Sequence, residues 1–279
     1  MNYKNLIAQN IANYQLLDSG DGEKLEILCG VTMIRPCPQA IWHKKYKKEL
    51  WQKATSICRR TKGGGGEWKH NKKLPTPLHY SFDMHGKKLN LDLKLTAFGH
   101  CGLFFEQWAL WPVFYNKVLD LKEKLGRAPK VLNLFAYTGG ASIVCAAAGA
   151  QVEHVDSAKG VIKWGQENQK LSNLKRESIS WQVQDAFNQV KFYQKKSISF
   201  DIIIADPPSW GHGAKKEKWL FEEQIAEFVK TLESILNPNH HLLFLSSHTH
   251  GVQAQALTNL FHLKSQISCG DLFIAHQDD

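Results

Sequence analysis

Four short segments of this chain hold residue types and spacings that suit a nucleotide-like ligand. The first is Asn133-Leu134-Phe135-Ala136-Tyr137-Thr138-Gly139-Gly140, an apolar run that ends in two glycines. Paired glycines let a backbone turn tightly and approach a ligand closely before a helix N-terminus. The second is Asp156-Ser157, whose acid comes 17 residues after Gly139 and is able to accept hydrogen bonds from both hydroxyls of a ribose. The third, Gln184-Asp185-Ala186, suits an adenine amino group. The fourth is Asp206-Pro207-Pro208-Ser209-Trp210. Two prolines cannot donate to a ladder and fix a rigid turn, so the carboxylate and carbonyls there point in set directions. Each segment alone is also ordinary loop chemistry. The dinucleotide fingerprint GxGxxG is absent, and so is the phosphate-cradling GxxxxGK[ST].

These segments follow apolar runs at 131–135, 152–156, 180–184 and 201–205, and a fifth run lies at 241–246. Helical patterns fall between them at 141–149, 158–171, 186–195 and 217–236. Such alternation predicts right-handed crossovers and a parallel sheet covered on both faces, with ligands beyond the carboxyl ends of the strands. Val131 to Val152 is 22 residues without a charge, close to a membrane-spanning length. Its central Thr138-Gly139-Gly140 predicts a strand, a turn and a small-residue helix instead. Upstream, a helix is expected from Glu106 to Leu125, ended by Gly126 and Pro129. The first hundred residues read as short strands, at 16–17, 25–28, 31–35, 78–83 and 89–95, with a helix within 44–60. The expected division is therefore a β-rich domain, 1–104, and an alternating strand–helix domain, 105–279.

The net charge of +9 is local. Between Trp42 and Lys73 eleven lysines and arginines face only Glu49 and Glu67, which accounts for the whole excess. Lys44, Lys45, Lys47 and Lys48 are interleaved with Trp42, Tyr46 and Trp51, and the window includes the Gly63–Gly66 run. Clustered cations and stacking rings are the footprint of a nucleic-acid contact, and a solvated face over packed aromatics is the alternative. Six cysteines without a CxxC pair, and an N-terminus without a secretory pattern, predict free thiols in a soluble, cytoplasmic protein. His240, His241, His248 and His250 flank one strand with no partners at zinc spacing, so no metal is expected, although one near the site could serve as a base.

The segments VLNLFAYTGGAS, HVDSAKG and DIIIADPPSWG resemble motifs of class I S-adenosylmethionine-dependent methyltransferases, and within them the bacterial large-subunit ribosomal RNA base methyltransferases. LDSGDGEKLE, RPCPQAIW and FGHCGLFFEQ, from 17, 35 and 98 onward, are similar to that group's shorter members. The resemblance implies an α/β, Rossmann-like sheet with a small N-terminal β-rich domain, S-adenosylmethionine as cofactor, and RNA as partner, with no membrane. It implies that Phe135, Ala136, Tyr137, Thr138, Gly139 and Gly140 cradle the methionine part. Asp156 and Ser157 would take the ribose, Asp185 and Ala186 the adenine, and Gln107 would close the site from the linker. Asp206, Pro207 and Pro208 would be catalytic; Lys44, Lys45, Lys47, Lys48 and Trp210 would meet RNA.

Two departures qualify the resemblance. Relatives acting on C5 of cytosine carry Ser-Cys-Ser after the fifth strand, where this chain has Ser246-Ser247-His248. C5 needs a thiolate added at C6 before it is nucleophilic, so a base nitrogen of ribosomal RNA is the favoured acceptor. The family's last strand, from a terminal hairpin, is either truncated here or absent. A non-catalytic RNA or assembly factor, and a methyltransferase of proteins or small molecules, stay open.

Overall fold

The computed structural model describes residues 2–61, 65–213, 217–263 and 266–277. Lys62, Gly63 and Gly64 of the basic window, and Asp278 and Asp279, lie outside the described residues. The chain forms two compact units. One takes residues 1–6 and 110–271, the other 7–109 and 272–279. The division thus falls at Ala109/Leu110, and both chain ends depart from the expected single cut. Asn2–Tyr3 pairs in parallel with Ser268–Cys269, and Leu16 bridges His276.

The larger unit is built on five parallel strands. In chain order these are Lys130–Leu134, Gln151–Asp156, Ile179–Val183, Ile202–Ala205 and Leu242–Leu245, here called the first to fifth strands. In space they run third, second, first, fourth, fifth. The chain therefore leaves the first strand in both directions, which opens a crevice at the carboxyl ends. One face buries Leu132, Leu134, Val155, Ile203 and Ala205 against Phe187, Phe228, Val229 and Leu232 of the helices Ala186–Lys195 and Phe221–Ser234. On the other face Phe244 meets Phe114 edge-on, ring centres 4.9 Å apart, beside the helices Trp111–Leu125 and Gly140–Ala148.

The first strand ends one residue before the expected 135, because Phe135 turns to φ +53 and leaves the ladder. The last long helix starts at Phe221 rather than 217, because Lys218–Leu220 pairs with Trp210–His212 in a small antiparallel ribbon. Among the described residues the central sheet has no strand beyond the fifth. The uncharged run from 131 is divided between strand, loop and helix, and no helix among the described residues is long and apolar enough to cross a membrane.

The smaller unit has a five-stranded sheet, in the order Tyr14–Gly20, Glu23–Leu28, Val31–Pro36, Ser56–Arg60, Gly66–His70, and a separate hairpin, Leu78–Met84 with Lys87–Leu93. The helix expected within 44–60 shrinks to Lys48–Gln52. Its front is held as a loop by the buried Asp18 carboxylate, which accepts from the backbone N–H of Lys45 (3.3 Å) and Tyr46 (3.0 Å). Its rear, with β-branched Thr55 and Ile57, runs into the strand Ser56–Arg60 instead.

Candidate functional site

The loop after the first strand is bent by three left-handed residues, Phe135 (φ +53), Tyr137 (φ +50) and Gly139 (φ +89). For Phe and Tyr this conformation costs energy and persists only where the surroundings enforce it. Asp156, at the end of the second strand, does part of this. Its Oδ2 accepts from the Tyr137 N–H (3.0 Å) and its Oδ1 from the Ala158 N–H (2.9 Å). Asn168 donates to the Thr138 carbonyl at 3.0 Å. Behind the loop, Gly165 admits the Trp181 ring so closely that a Cβ there would clash with it. Asn133 donates to Ser142 Oγ (2.9 Å), and the same hydroxyl is hydrogen-bonded to His154 Nδ1 (2.9 Å), which ties the first strand to the second behind the loop. Sequence reasoning missed Asn133, Ser142, His154, Asn168 and Trp181 as supports of this loop. A glycine inside a helical pattern, Gly165, was the one legible signal.

Burial raises the Asp156 carboxyl above its ordinary value, and the N–H groups of Ala158, Tyr137 and Ser157 offset only part of that. A carboxylate offers about four lone-pair sites, so Asp156 keeps acceptor capacity for an incoming hydroxyl. The third strand's end is tied to the same place, since the Gln184 N–H donates to the Asp156 carbonyl (3.1 Å). Next to it, Asp185 caps the helix Ala186–Lys195 through a bond from the Asn188 N–H (2.8 Å), and Ala186 is buried.

Beyond the fourth strand, Asp206 Oδ1 accepts from Ser246 Oγ at 2.5 Å, and His248 Nε2 stands 3.5 Å from the same oxygen. The fifth strand's end thus grips the Asp-Pro-Pro turn. Pro207 is buried, and the carbonyl of exposed Pro208 accepts from Trp219 Nε1 (2.6 Å). Trp219 lies 5.3 Å from the Phe135 ring, so the turn and the glycine loop share a wall. Trp210, by contrast, is 69% exposed on its ribbon.

A family model described as S-adenosylmethionine-dependent methyltransferase matches residues 74–250. The chain belongs to that family. A crystal structure of a methyltransferase of this kind from Agrobacterium tumefaciens is 33% identical, with a TM-score of 0.84 over 92% of this chain and 80% of that one. Ribosomal RNA large subunit methyltransferase K/L of Pseudoalteromonas translucida is 34% identical over 119 residues, 41% of this chain and 16% of that protein. Its counterpart from Shewanella frigidimarina is 30% identical over 162 residues, 57% of this chain and 21% of that protein. The chain matches about a fifth or less of the length of these curated relatives.

The residues fit the family's cofactor. Gly139, at φ +89, leaves no room for a side chain, since a Cβ there would fall 3.0 Å from the Trp181 ring, and the half-buried Asp156 retains acceptor capacity for a ribose. The remaining expected residues belong to the smaller unit. Gln107 is on the short helix Phe105–Leu110 of the smaller unit, as are Lys44, Lys45, Lys47 and Lys48 on the loop before Lys48–Gln52 and at its start. Lys44 is engaged, 2.6 Å from Glu23 Oε2 and 4.0 Å from the Trp51 ring centre. All six cysteines are free thiols, and burial pushes Cys145 up to about 12. Of the four histidines, only His248 reaches Asp206, while His241 Nδ1 pairs with the Asn237 carbonyl (2.8 Å). Among the described residues no group of three or more His, Cys, Asp and Glu could hold a metal.

Proposed function

We propose that this methyltransferase transfers a methyl group to a nitrogen of a base in ribosomal RNA. The observation that carries the reading is the carboxylate of Asp206, fixed by Ser246 in a rigid turn at the carboxyl end of the fourth strand, with serines rather than a thiol after the fifth. The names of the Pseudoalteromonas and Shewanella relatives support ribosomal RNA as substrate, and the local cationic window supports RNA as partner.

Bound S-adenosylmethionine supplies a methyl carbon already activated by its sulfonium, so that positioning provides most of the catalysis. Phe135 to Gly140 would cradle its methionine part, Asp156 and Ser157 its ribose, and Asp185 with Ala186 its adenine. Asp206 and the Pro207 carbonyl would accept the N–H bonds of an amino acceptor and aim its lone pair. Pro208, bound through its carbonyl to Trp219, would keep that turn stiff. Trp210 would stack the base. As the nitrogen gains its methyl bond it sheds one proton, which His248, 3.5 Å from Asp206 Oδ1, would take as a base and pass to water.

Nucleoside mass spectrometry of ribosomal RNA from a deletion strain beside its parent tests this. One N-methylated base should vanish, return with the wild-type gene and fail to return with Asp206→Ala. An unchanged nucleoside profile, or the loss of 5-methylcytosine instead, overturns the reading. RNA containing 5-fluorocytosine should give no denaturant-stable adduct, since a nitrogen acceptor needs no covalent thiol step.

A further inference from the structure

The loop that carries the lysines is pinned along its length. Buried Asp18 accepts from the N–H groups of Lys45 and Tyr46 and from Trp51 Nε1 (2.9 Å). The Trp42 carbonyl accepts from the Asp21 N–H (2.7 Å), and the Ala40 carbonyl from the Gly22 N–H (2.8 Å). Trp42 Nε1 donates to the Ser19 carbonyl at 2.8 Å. Gly20 is what permits this approach, for a Cβ there would fall 2.5 Å from the Lys44 nitrogen.

A loop held this firmly nevertheless leaves two large apolar side chains in water, Ile41 at 88% and Trp42 at 51% exposure. With its N–H already satisfied by Ser19, what Trp42 shows to solvent is apolar ring. Exposed Lys45, Lys47 and Lys48 follow it in sequence. Lys44 is engaged by Glu23 and the Trp51 ring, and Lys45 Nζ lies over the Tyr46 ring, 5.8 Å from its centre. A merely solvated face needs neither the exposed indole nor a clamped backbone. A ring held ready to stack, with cations beside it, matches unpaired bases on a phosphate backbone, where stacking is indifferent to sequence and the order is imposed beforehand rather than on binding.

We infer that the loop from Ile41 to Lys48 is a preformed platform for single-stranded RNA, with Trp42 stacking a base, Lys45, Lys47 and Lys48 on phosphates, and Lys44 serving the fold. This rests on the proposal that the substrate is RNA and specifies its form: an unpaired segment, which a duplex cannot offer to a stacking ring.

The test is binding of a labelled 12-nucleotide single-stranded RNA and of its duplex by the full chain, read by anisotropy and tryptophan quenching across a salt series. The parent should prefer the single strand. Trp42→Ala should weaken that binding about tenfold, within the range for one lost base stack, and remove part of the quenching while keeping the salt slope. The triple change Lys45→Gln, Lys47→Gln, Lys48→Gln should flatten the log–log slope by about two, at about 0.7 per single-strand phosphate. Lys44→Gln should leave the slope alone and lower the melting temperature. Equal affinity for duplex, or a Trp42→Ala variant that is folded and binds like the parent, overturns the inference; so does loss of the slope on Lys44→Gln alone. Binding to phosphatidylserine vesicles through Trp42 without RNA binding would assign the platform to a membrane surface and overturn it likewise. If Trp42-dependent RNA binding holds but the deletion strain's nucleosides are unchanged, the methylation reading falls and the platform stands.

Discussion

The fourth strand, Ile202–Ala205, has an aspartate immediately before it and another immediately after, and the molecule treats the two in opposite ways. Asp201, at the amino end, is gripped on all sides. Arg127 reaches it twice, at 2.7 and 2.9 Å, the Lys130 N–H donates at 2.7 Å and Asn237 Nδ2 at 2.6 Å. Burial alone would raise its carboxyl, but these partners together hold it below the ordinary value. Asp206, at the carboxyl end, accepts from the Ser246 hydroxyl beside a half-exposed imidazole, and its side chain is 22% exposed where that of Asp201 is 2%. One edge of the sheet uses its charge to close the structure; the other keeps a carboxylate open to solvent at the carboxyl ends, where parallel sheets as a class bind ligands.

The largest expected effects come from exchanging the two. Asp206→Ala should lower methyl transfer to RNA from the deletion strain by about 100- to 1,000-fold, the scale on which a preorganised polar group at a reacting centre acts, with cofactor affinity and melting temperature close to the parent's. Asp206→Asn should recover part of the activity, because its carbonyl oxygen still accepts a hydrogen bond. Asp201→Ala should do the reverse. It removes the acceptor of the Lys130 N–H and the Asn237 amide, both of them only partly buried, so at the low end of the roughly 1–3 kcal/mol per unsatisfied group it should cost about 2 kcal/mol of stability. Arg127 adds little, since it is half-exposed and finds water. Turnover per folded molecule should hold. A folded but inactive Asp201→Ala would break the contrast, as would an Asp206→Ala whose lost activity tracks unfolding.

Asp156 sharpens the same contrast on the second strand. Its carboxyl is raised by burial, so in the free protein the ionised form is a burden at neutral pH. The contribution to stability is full below the carboxyl's unfolded value of 3.8 and is lost as pH rises through the raised folded value. Ribose hydroxyls donating to the ionised form would reverse that bias. Cofactor binding should therefore be level at neutral pH and weaken as pH falls through the raised carboxyl range. Asp156→Ala should lose at least about tenfold in affinity, since hydrogen bonds to charged groups are worth roughly 1.5–3 kcal/mol each, and Asp156→Asn should remove the pH dependence. Calorimetry that finds unchanged affinity in folded Asp156→Ala would take the ribose away from this residue.

How much of this was legible depended on whether the cause lay along the chain or across it. The five strands and the acids after them can be read locally, from apolar runs that stop at Gly, Asp or Pro. The one-residue error at Phe135 arises in a loop that Asp156, on the neighbouring strand, holds two residues further on through the Tyr137 N–H. The grip of Ser246 on Asp206 joins residues 40 apart, and no spacing rule reaches that far. The expected helix within 44–60 failed for the same reason: Asp18, 27 residues upstream of Lys45, takes the backbone N–H groups at its front. The ribbon of Trp210–His212 with Lys218–Leu220 was hidden because Lys-Trp-Leu before an acidic turn also reads as the start of a helix.

His154 supplies the smallest and most selective test, because it lies two residues before Asp156 on the same strand yet belongs with Asp201 as a group committed to the fold. It is fully buried, bonded to Ser142, and burial pushes its pKa down to about 3 from an ordinary 6.5. The folded protein keeps the ring neutral while the unfolded chain protonates it. The associated stability is therefore fully present above pH 6.5 and is lost as pH falls toward 3. Between pH 8 and pH 6 the loss from one such group is about 0.8 kcal/mol, and it steepens toward about 1.4 kcal/mol per pH unit below that. Urea denaturation of the parent and of His154→Gln at both pH values isolates this share, since the other histidines are common to the two proteins. The variant should be the less stable at pH 8, because it disturbs the bond to Ser142, and should lose less on acidification. Parallel pH slopes would mean that His154 titrates alike in both states, and the line between reserved and committed groups could then no longer be drawn between neighbours on one strand.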